Sequence, residues 1–240
     1  MTQTATKYLK SNDTVYVVFV VDRLIRYLIP WISKSRLTPN QITLFTLFAY
    51  ICSSVFFFLG SFVLAAVCFQ LGFFFDCIDG KLARFRNEFS VIGDWLDTIV
   101  DRIGISINAF ALGYHQSSYA DSREWVWFFG FVILELLSSI NGQYVINREM
   151  KKDDNRKKVE RTLVSSSRLF SSLYRMRDWL RRHRLATPPV GTIEIMIFLF
   201  VFAPLFGVVD IGVRIAVILL FLLHAVTAFF YWRKEMLSQS

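Results

Sequence analysis

The 240-residue chain is 54% hydrophobic and 17% aromatic, with a mean hydropathy of +0.43 and a net charge of +8. A soluble domain carries less apolar sequence and more charge than the 19% found here, so the composition excludes an ordinary soluble domain and predicts an integral membrane protein. The first 14 residues are polar, and no short apolar run with a small-residue cleavage site follows, which argues against a cleavable signal peptide.

The first predicted element covers residues 15–31, where apolar side chains flank a short charged patch at Asp22 and Pro30 closes the run. Its length and its charged insert predict an amphipathic helix that lies in the membrane interface rather than crossing the bilayer. We therefore divide the chain into a cytoplasmic N-terminal part, residues 1–37, and a transmembrane domain, residues 38–240.

Six apolar stretches follow, each close to the ~20 residues that a membrane-spanning helix needs. They lie at about 40–60, 61–82, 94–114, 124–146, 190–208 and 211–232. Pro39 fits the first turn of the first helix with Thr38 as its cap, and Gly60-Ser61 predicts a tight hairpin after it. Pro204 predicts a kink in the fifth helix. The predicted fold is an all-α bundle of six transmembrane helices preceded by an interfacial helix.

The basic residues predict the orientation of this bundle. Positions 148–187, between the fourth and fifth helices, contain 13 Lys and Arg. Positive charge is retained on the cytoplasmic side, so this segment and both termini are predicted to be cytoplasmic, as an even number of spans requires. No nucleic-acid motif accompanies the charge, which we interpret as topological retention and attraction to anionic lipid headgroups.

Several polar residues fall inside the predicted spans, among them Glu135, Asn108, Glu194 and His224. Intramembrane acids are candidates for function. Single polar contacts in a helical bundle commonly serve as interhelical hydrogen bonds, and we favour that structural role for His224.

Four aspartates stand where the second and third spans are joined. Asp76 and Asp79 are three residues apart, and Asp97 and Asp101 are four apart, so each pair shares one helix face. The residues between the pairs are enough for a turn, which predicts two antiparallel helices with opposed carboxylates. Four converging carboxylates repel one another, and hard divalent ions such as Mg²⁺ or Mn²⁺ relieve that repulsion with all-oxygen ligands.

The residues between the two aspartate pairs indicate a phosphate ligand. Gly80 allows a substrate or helix to approach the backbone, Ala83 keeps that surface flat, and Gly93 gives a second point of close approach. Arg84 offers a fork of donors suited to phosphate oxygens. Together with the aspartates, these residues predict a diphosphate cradle.

A simpler interpretation pairs the aspartates with nearby basic residues at the water interface. The candidate partners are Lys81, Arg84, Arg86 and Arg102. For one carboxylate near a helix end this interpretation is as good as any other. It does not explain four carboxylates combined with the two glycines, Ala83 and Arg84, so we favour the cradle.

The full pattern is Asp76-x2-Asp79-Gly80-x2-Ala83-Arg84-x8-Gly93-x3-Asp97-x3-Asp101. It resembles the complete signature of the CDP-alcohol phosphotransferases, with all eight positions agreeing in type and order. The signature covers only residues 76–101, but the six-span layout and the preceding interfacial helix are also similar to this family. Pro39-Asn40-x2-Thr43 is similar to the family's second, weaker motif.

The resemblance implies a role for each matching residue. Asp76, Asp79 and Asp97 would be metal ligands, and Asp101 would both lie near the metals and act as general base. The residues implied for the CDP pocket are Asn40, Thr43, Gly80, Ala83, Arg84 and Gly93. The resemblance further implies two Mg²⁺ or Mn²⁺ ions, a homodimer, and a cavity open to the cytoplasmic leaflet.

The implied reaction transfers a phosphoalcohol group, and CDP-diacylglycerol is the expected donor. An acceptor hydroxyl would attack the β-phosphorus and CMP would leave, as in phospholipid biosynthesis. Inositol phosphate, glycerol phosphate and a simple amino alcohol all remain open as acceptors. Arg102 or Arg148 could bind an acceptor phosphate, or each could simply mark a cytoplasmic helix end.

Two other classes of function compete with this reading. A divalent-cation transporter would explain the acids and the membrane, but not Gly80, Ala83 and Arg84, and an arginine raises the barrier to cation entry. Its acids should also lie near the bilayer midplane. A non-catalytic scaffold would predict that Asp101→Asn leaves function unchanged.

Overall fold

The computed structural model describes residues 8–10, 13–119, 122–151, 184 and 191–239, and all regular structure in this part of the chain is helical. A π-helical turn, Val17–Val21, leads into helix α1, Asp22–Ile32. The other helices are α2, Pro39–Phe58; α3, Phe62–Arg86; α4, Val91–Tyr119; α5, Trp125–Lys151; α6, Thr192–Leu205; and α7, Val209–Gln239. The all-α prediction is confirmed, and α2 to α7 occupy the six apolar stretches.

Three of the described helices are long and apolar enough to cross a membrane, namely α2, α3 and the Val209–Phe229 part of α7. The apolar parts of α5 and α6, Trp125–Asn141 and Thr192–Leu205, are shorter. These apolar helices identify the protein as a membrane protein. The count of six spans and the interfacial position of α1 stay predictions. The basic segment predicted at 148–187 lies, apart from residues 148–151 and 184, outside the described residues.

Local sequence explains where α2 begins and ends. The Thr38 hydroxyl accepts a hydrogen bond from the Gln41 amide at 3.3 Å, and the Gln41 side chain accepts one from the Thr38 amide at 3.0 Å. This reciprocal cap with Pro39 in the first turn confirms the predicted start. Gly60 closes the turn to α3 with a φ of 74°, a left-handed conformation that glycine adopts without steric cost.

The two helix prolines are accommodated without ending their helices. Pro30 lies in the last turn of α1, which ends at Ile32, close to the predicted end of this run. A π-helical turn precedes Pro204, and in it the Ala203 amide donates to the Phe198 carbonyl; the kink expected at Pro204 stays a prediction. Proline has no amide hydrogen to donate to the carbonyl four residues earlier, so the regular helical bonding pattern is interrupted at this position in any case.

Helix α2 packs against both α3 and α4, which contact each other far less. Tyr50 of α2 is buried between Gly72 of α3 and Gly104 of α4. A Cβ on either glycine would come within 2.7 Å or 2.1 Å of the Tyr50 ring. The buried Asn108 amide donates to the carbonyls of Tyr50 and Gly104 at 3.1 and 2.8 Å. These contacts make α2 the shared support of the two aspartate-bearing helices.

Arg86, at the end of α3, holds the connection between α1 and α2. Its guanidinium donates to the carbonyls of Ile32, Ser33, Ser35 and Leu37 at 2.7 to 3.1 Å. One side chain thereby satisfies the exposed carbonyls at the end of α1 and fixes the start of α2 beside the end of α3.

Polar groups also join the later helices. His224 Nε2 lies 2.9 Å from the Leu134 carbonyl, which links α7 to α5 and confirms the structural role favoured for this residue. Glu194 accepts hydrogen bonds from the amides of Gly191 and Tyr16 at 2.8 and 3.0 Å. It therefore caps α6 and attaches that helix to the N-terminal region.

Candidate active site

The four aspartates come together as the sequence predicts. Asp76 and Asp79 project from α3, and Asp97 and Asp101 from α4. Oxygen atoms of Asp76, Asp79 and Asp97 lie within 4.8 Å of one another. Asp101 lines the same cavity as these three residues. The cluster therefore brings together side chains of α3 and α4, two helices that pack mainly against α2 and make few contacts with each other.

The short connection between α3 and α4 is defined by its own residues. Asn87 ends α3 in the left-handed conformation, with a φ of 56°, and the Glu88 amide bonds back to the Ala83 carbonyl at 3.0 Å. Ser90 then caps α4, since its hydroxyl accepts a hydrogen bond from the Gly93 amide at 2.9 Å. This tight connection turns α4 back along α3.

The two signature glycines serve different purposes. A Cβ on Gly93 would lie 2.8 Å from both Asn40 Oδ1 and Ser90 Oγ, so Gly93 lets the first turn of α2 approach the start of α4. This confirms the predicted close approach and identifies Asn40 as its partner. A Cβ on Gly80 would meet only the end of Arg84 at 3.6 Å, so Gly80 keeps space open in front of the aspartates.

Thr43 orients one of the carboxylates. Its hydroxyl donates to Asp79 Oδ2 at 2.7 Å, and both residues are buried. The hydrogen bond fixes the orientation of the Asp79 carboxylate. The contact gives Thr43 a positioning role that the sequence motif alone did not specify.

A cavity of about 710 Å³ lies in front of the cluster, enclosed by residues of α2, α3, α4 and the N-terminal region. It is lined by all the residues predicted for metal and CDP binding: Asn40, Thr43, Asp76, Asp79, Gly80, Ala83, Arg84, Gly93, Asp97 and Asp101. Arg102 is absent from the described lining, and the side chain of Arg148 lies outside the described part of the structure.

The basic residues near the aspartates have other partners, so the simpler pairing interpretation was wrong. Lys81 pairs with Asp22 at 3.2 Å, and Arg84 Nε donates to the Tyr8 carbonyl at 2.8 Å. Arg86 holds the carbonyls described above, and Arg102 Nη1 donates to both oxygens of Glu135. No ion pair between described residues includes any of the four aspartates.

A divalent metal fits this arrangement. The donors are all carboxylate oxygens, three of them close enough to share an ion, and Thr43 orients one carboxylate from behind. Such a hard, multi-oxygen set suits Mg²⁺ or Mn²⁺. Without a cation, mutual repulsion of carboxylates in a partly buried site would be strongly unfavourable.

Arg102 is held by a partner 33 residues away. Glu135 of α5 is buried and receives the guanidinium of Arg102, which joins α4 to α5. Arg102 Nε is itself buried and has no hydrogen-bond partner among the described residues. Binding of an acceptor phosphate by Arg102 stays a prediction, and it would have to share or displace Glu135.

The structure adds cavity residues that the sequence did not indicate. Lys10 and Asp13 line the cavity, and the Tyr8 carbonyl anchors Arg84. These residues belong to the polar start of the chain, which has no motif and no periodicity, so nothing local could have assigned them to the site.

The family model for CDP-alcohol phosphatidyltransferase matches residues 36–232. An uncharacterised protein of Aquifex aeolicus is 39% identical over 100 residues, which are 42% of this chain and 51% of that protein.

Two archaeal proteins with assigned names are also similar. The bifunctional IPC transferase and DIPP synthase of Thermococcus kodakarensis is 35% identical over 47% of this chain and 24% of its own length. The archaetidylinositol phosphate synthase of Pyrococcus horikoshii is 36% identical over 28% of this chain and 36% of its own length. The matched regions thus span about half or less of each relative.

Proposed function

Because the chain belongs to the CDP-alcohol phosphatidyltransferase family, we propose that it transfers a phosphoalcohol group from a CDP-linked lipid to an acceptor alcohol and releases CMP. The observation that supports this most directly is the convergence of four aspartates on one cavity with every residue of the implied CDP pocket. The reaction belongs to phospholipid biosynthesis.

Asp76, Asp79 and Asp97 would hold the metal, which we propose to be two Mg²⁺ or Mn²⁺ ions with Asp101 at their edge. When bound, divalent ions polarise the diphosphate and spread the charge that develops on the departing phosphate. Thr43 keeps Asp79 in the orientation that this requires, through its 2.7 Å hydrogen bond.

Asp101 is the proposed general base. It accepts the proton of the acceptor hydroxyl, whose oxygen attacks the β-phosphorus of the donor. A new phosphorus–oxygen bond forms to the acceptor, and the bond between the β-phosphorus and the bridging oxygen breaks. That oxygen leaves with CMP, and the lipid product stays in the bilayer.

We propose that Arg84 neutralises charge on the donor diphosphate. Its Nε is anchored on the Tyr8 carbonyl, so its two terminal nitrogens stay beside Gly80, where the backbone leaves room for a ligand. A fixed guanidinium of this kind can donate two hydrogen bonds to phosphate oxygens at the same time.

For the substrates, we propose CDP-diacylglycerol or a related CDP-lipid as donor and inositol phosphate or glycerol phosphate as acceptor. The name of the similar Pyrococcus protein, archaetidylinositol phosphate synthase, makes inositol phosphate the first acceptor to test. A homodimer and an active site on the cytoplasmic side complete the proposal, by analogy with the family.

The test is CMP release by the purified protein with Mg²⁺, CDP-diacylglycerol and a panel of acceptor alcohols. We expect release only with the correct acceptor, and none after chelation with EDTA. Asp101→Asn should abolish turnover, whereas Asp210→Asn, an acid in the first turn of α7 outside the described cavity lining, should not. Full activity of Asp101→Asn would overturn the general-base assignment.

A divalent-cation transporter is not favoured. Arg84 lines the same cavity as the aspartates, and a guanidinium there opposes the entry of a bare cation. Metal uptake into sealed vesicles without any CDP-lipid would reverse this preference.

A further inference from the structure

The start of the chain forms one wall of the cavity. Residues 8–10 and 13, called here the N-terminal wall, contribute the side chains of Lys10 and Asp13 to the cavity lining. The match to the family begins only at residue 36, so this wall belongs to the part of the chain outside that match.

The N-terminal wall is fixed by arginines at both ends. Arg84 donates to the Tyr8 carbonyl at 2.8 Å, and the Tyr8 side chain is buried. Arg184 donates to the Lys10 carbonyl from Nε and from a terminal nitrogen at 3.1 and 3.0 Å, and its own carbonyl accepts from the Asp13 amide at 2.9 Å. The backbone of Lys10 is therefore held in place beside the aspartates.

Charge in the described cavity lining is strongly unbalanced. Three side chains are basic: Lys10, Lys81 and Arg84. Seven are acidic: Asp13, Asp76, Asp79, Glu88, Asp94, Asp97 and Asp101. Even when divalent ions offset the four clustered aspartates, the remaining acids repel a phosphate group, so each basic side chain has a large influence on its binding.

One of these three basic side chains is fully paired, and a second is partly engaged. Lys81 is 3% exposed and pairs with the buried Asp22. Arg84 is anchored through its Nε to Tyr8. Lys10, by contrast, is exposed and forms no ion pair with any described residue.

We propose that Lys10 binds a phosphate oxyanion of a substrate in this cavity. An ammonium group on a fixed backbone gives a point charge with three donors, which suits a phosphate oxygen. The phosphate belongs either to the donor diphosphate or to a phosphorylated acceptor, and the chemistry of recognition is the same for both. This inference rests on the proposed function.

The test compares Lys10→Gln and Lys10→Arg with Lys34→Gln, an exposed lysine outside the described cavity lining. Lys10→Gln should raise the KM of one substrate by about tenfold, the range expected for a charged hydrogen bond, with little change in kcat. Lys10→Arg should restore most of the loss. The substrate whose KM rises identifies the phosphate that Lys10 binds.

A second arm uses Arg184 as a positioning residue. Arg184→Ala frees the Lys10 carbonyl and also removes the ion pair with Asp22, so its kinetics are measured at a temperature where the variant is fully folded. Under that condition it should raise the same KM as Lys10→Gln. Lys10→Gln removes the ammonium group, and Arg184→Ala releases the backbone that positions it. Because both changes act on the same group, the KM of the double variant should be little higher than that of either single variant. Additive effects would contradict the link between Arg184 and Lys10.

Failure of the two proposals can be told apart. If the wild-type protein releases CMP and Lys10→Gln has the kinetics of Lys34→Gln, the role of Lys10 is refuted and the proposed function stands. If the wild-type protein releases no CMP, the proposed function fails, and titration calorimetry with inorganic pyrophosphate and Mg²⁺ still tests Lys10. Equal affinity of wild type and Lys10→Gln for pyrophosphate would then overturn its role.

Discussion

At the scale of single residues, the candidate site depends on contacts that hold the aspartates in position as well as on the aspartates themselves. Thr43 fixes one oxygen of Asp79, and Gly93 gives Asn40 the space it occupies at the start of α4. The first contact is lost when Thr43 loses its hydroxyl, and the second is blocked when Gly93 gains a methyl group. A single substitution therefore tests each contact.

Thr43→Val should weaken the metal site without removing a ligand. The change deletes the 2.7 Å hydrogen bond and keeps the shape of the side chain, so Asp79 can rotate away from its ligating orientation. We expect the Mg²⁺ concentration for half-maximal CMP release to rise by roughly tenfold, as for the loss of a hydrogen bond to a buried charge. Thr43→Ser keeps the hydroxyl and should behave like wild type; a Mg²⁺ dependence unchanged in Thr43→Val would contradict the positioning role.

Gly93→Ala should destabilise the protein, although alanine is the better helix former. The added Cβ would lie 2.8 Å from Asn40 Oδ1 and Ser90 Oγ, so the Asn40 side chain must rotate or α2 must move away, and the Ser90 hydroxyl must leave its capping position. We expect a loss of about 1–3 kcal/mol, measured as a lower Tm in detergent. Gly130→Ala is the matched control, because its Cβ would meet only Val217 at 3.9 Å, and a Tm for Gly93→Ala as high as that of the control would refute the clash.

At the scale of helices, one buried ion-pair network connects α1, α3 and residue 184. Asp22 is 2% exposed and pairs with Lys81 at 3.2 Å and with Arg184 at 3.0 Å. A buried charge that loses its partner is much more costly than an exposed one. The network therefore controls whether the N-terminal part of the chain stays against the cavity.

Asp22→Ala should lower stability by about 3 kcal/mol, since it leaves Lys81 buried without its partner. Glu88→Gln is the control, because Glu88 is half exposed and its pair with Arg86 spans 3.7 Å, for which we expect less than about 1 kcal/mol. Thermal unfolding in detergent measures both. Equal Tm values for the two variants would argue against a network that supports the fold.

Sequence reasoning succeeded where a signal is local and failed where it is not. The caps at Thr38 and Gly60 and the shared faces of the aspartates follow from spacing along one helix or turn. Arg102 and Glu135, by contrast, meet across 33 positions, and Arg184 reaches Lys10 across 174 positions. No pattern in either segment names its partner, so these contacts emerge only when the helices are packed.

At the scale of the whole molecule, the connection of α3 to α4 and the far end of α4 should lie on opposite sides of the membrane. We expect Asn87→Cys to react with a membrane-impermeant maleimide only from the cytoplasmic side, and Ser117→Cys only from the other side. Cys52, Cys68 and Cys77 must first be replaced to remove background labelling. Labelling of both positions from one side would contradict the predicted orientation.

The buried ring of Tyr50 contacts each aspartate-bearing helix about one turn away from an aspartate. On α3, Gly72 precedes Asp76 by four residues, and on α4, Gly104 follows Asp101 by three. Helices α3 and α4 pack on α2 and make few contacts with each other. The thickness of the Tyr50 ring therefore sets the distance between the two helices and, with it, the gap between the two pairs of carboxylates. The separation of the two aspartate pairs therefore depends on an aromatic side chain that lies outside the described cavity lining, and replacing it with a smaller one should change that separation.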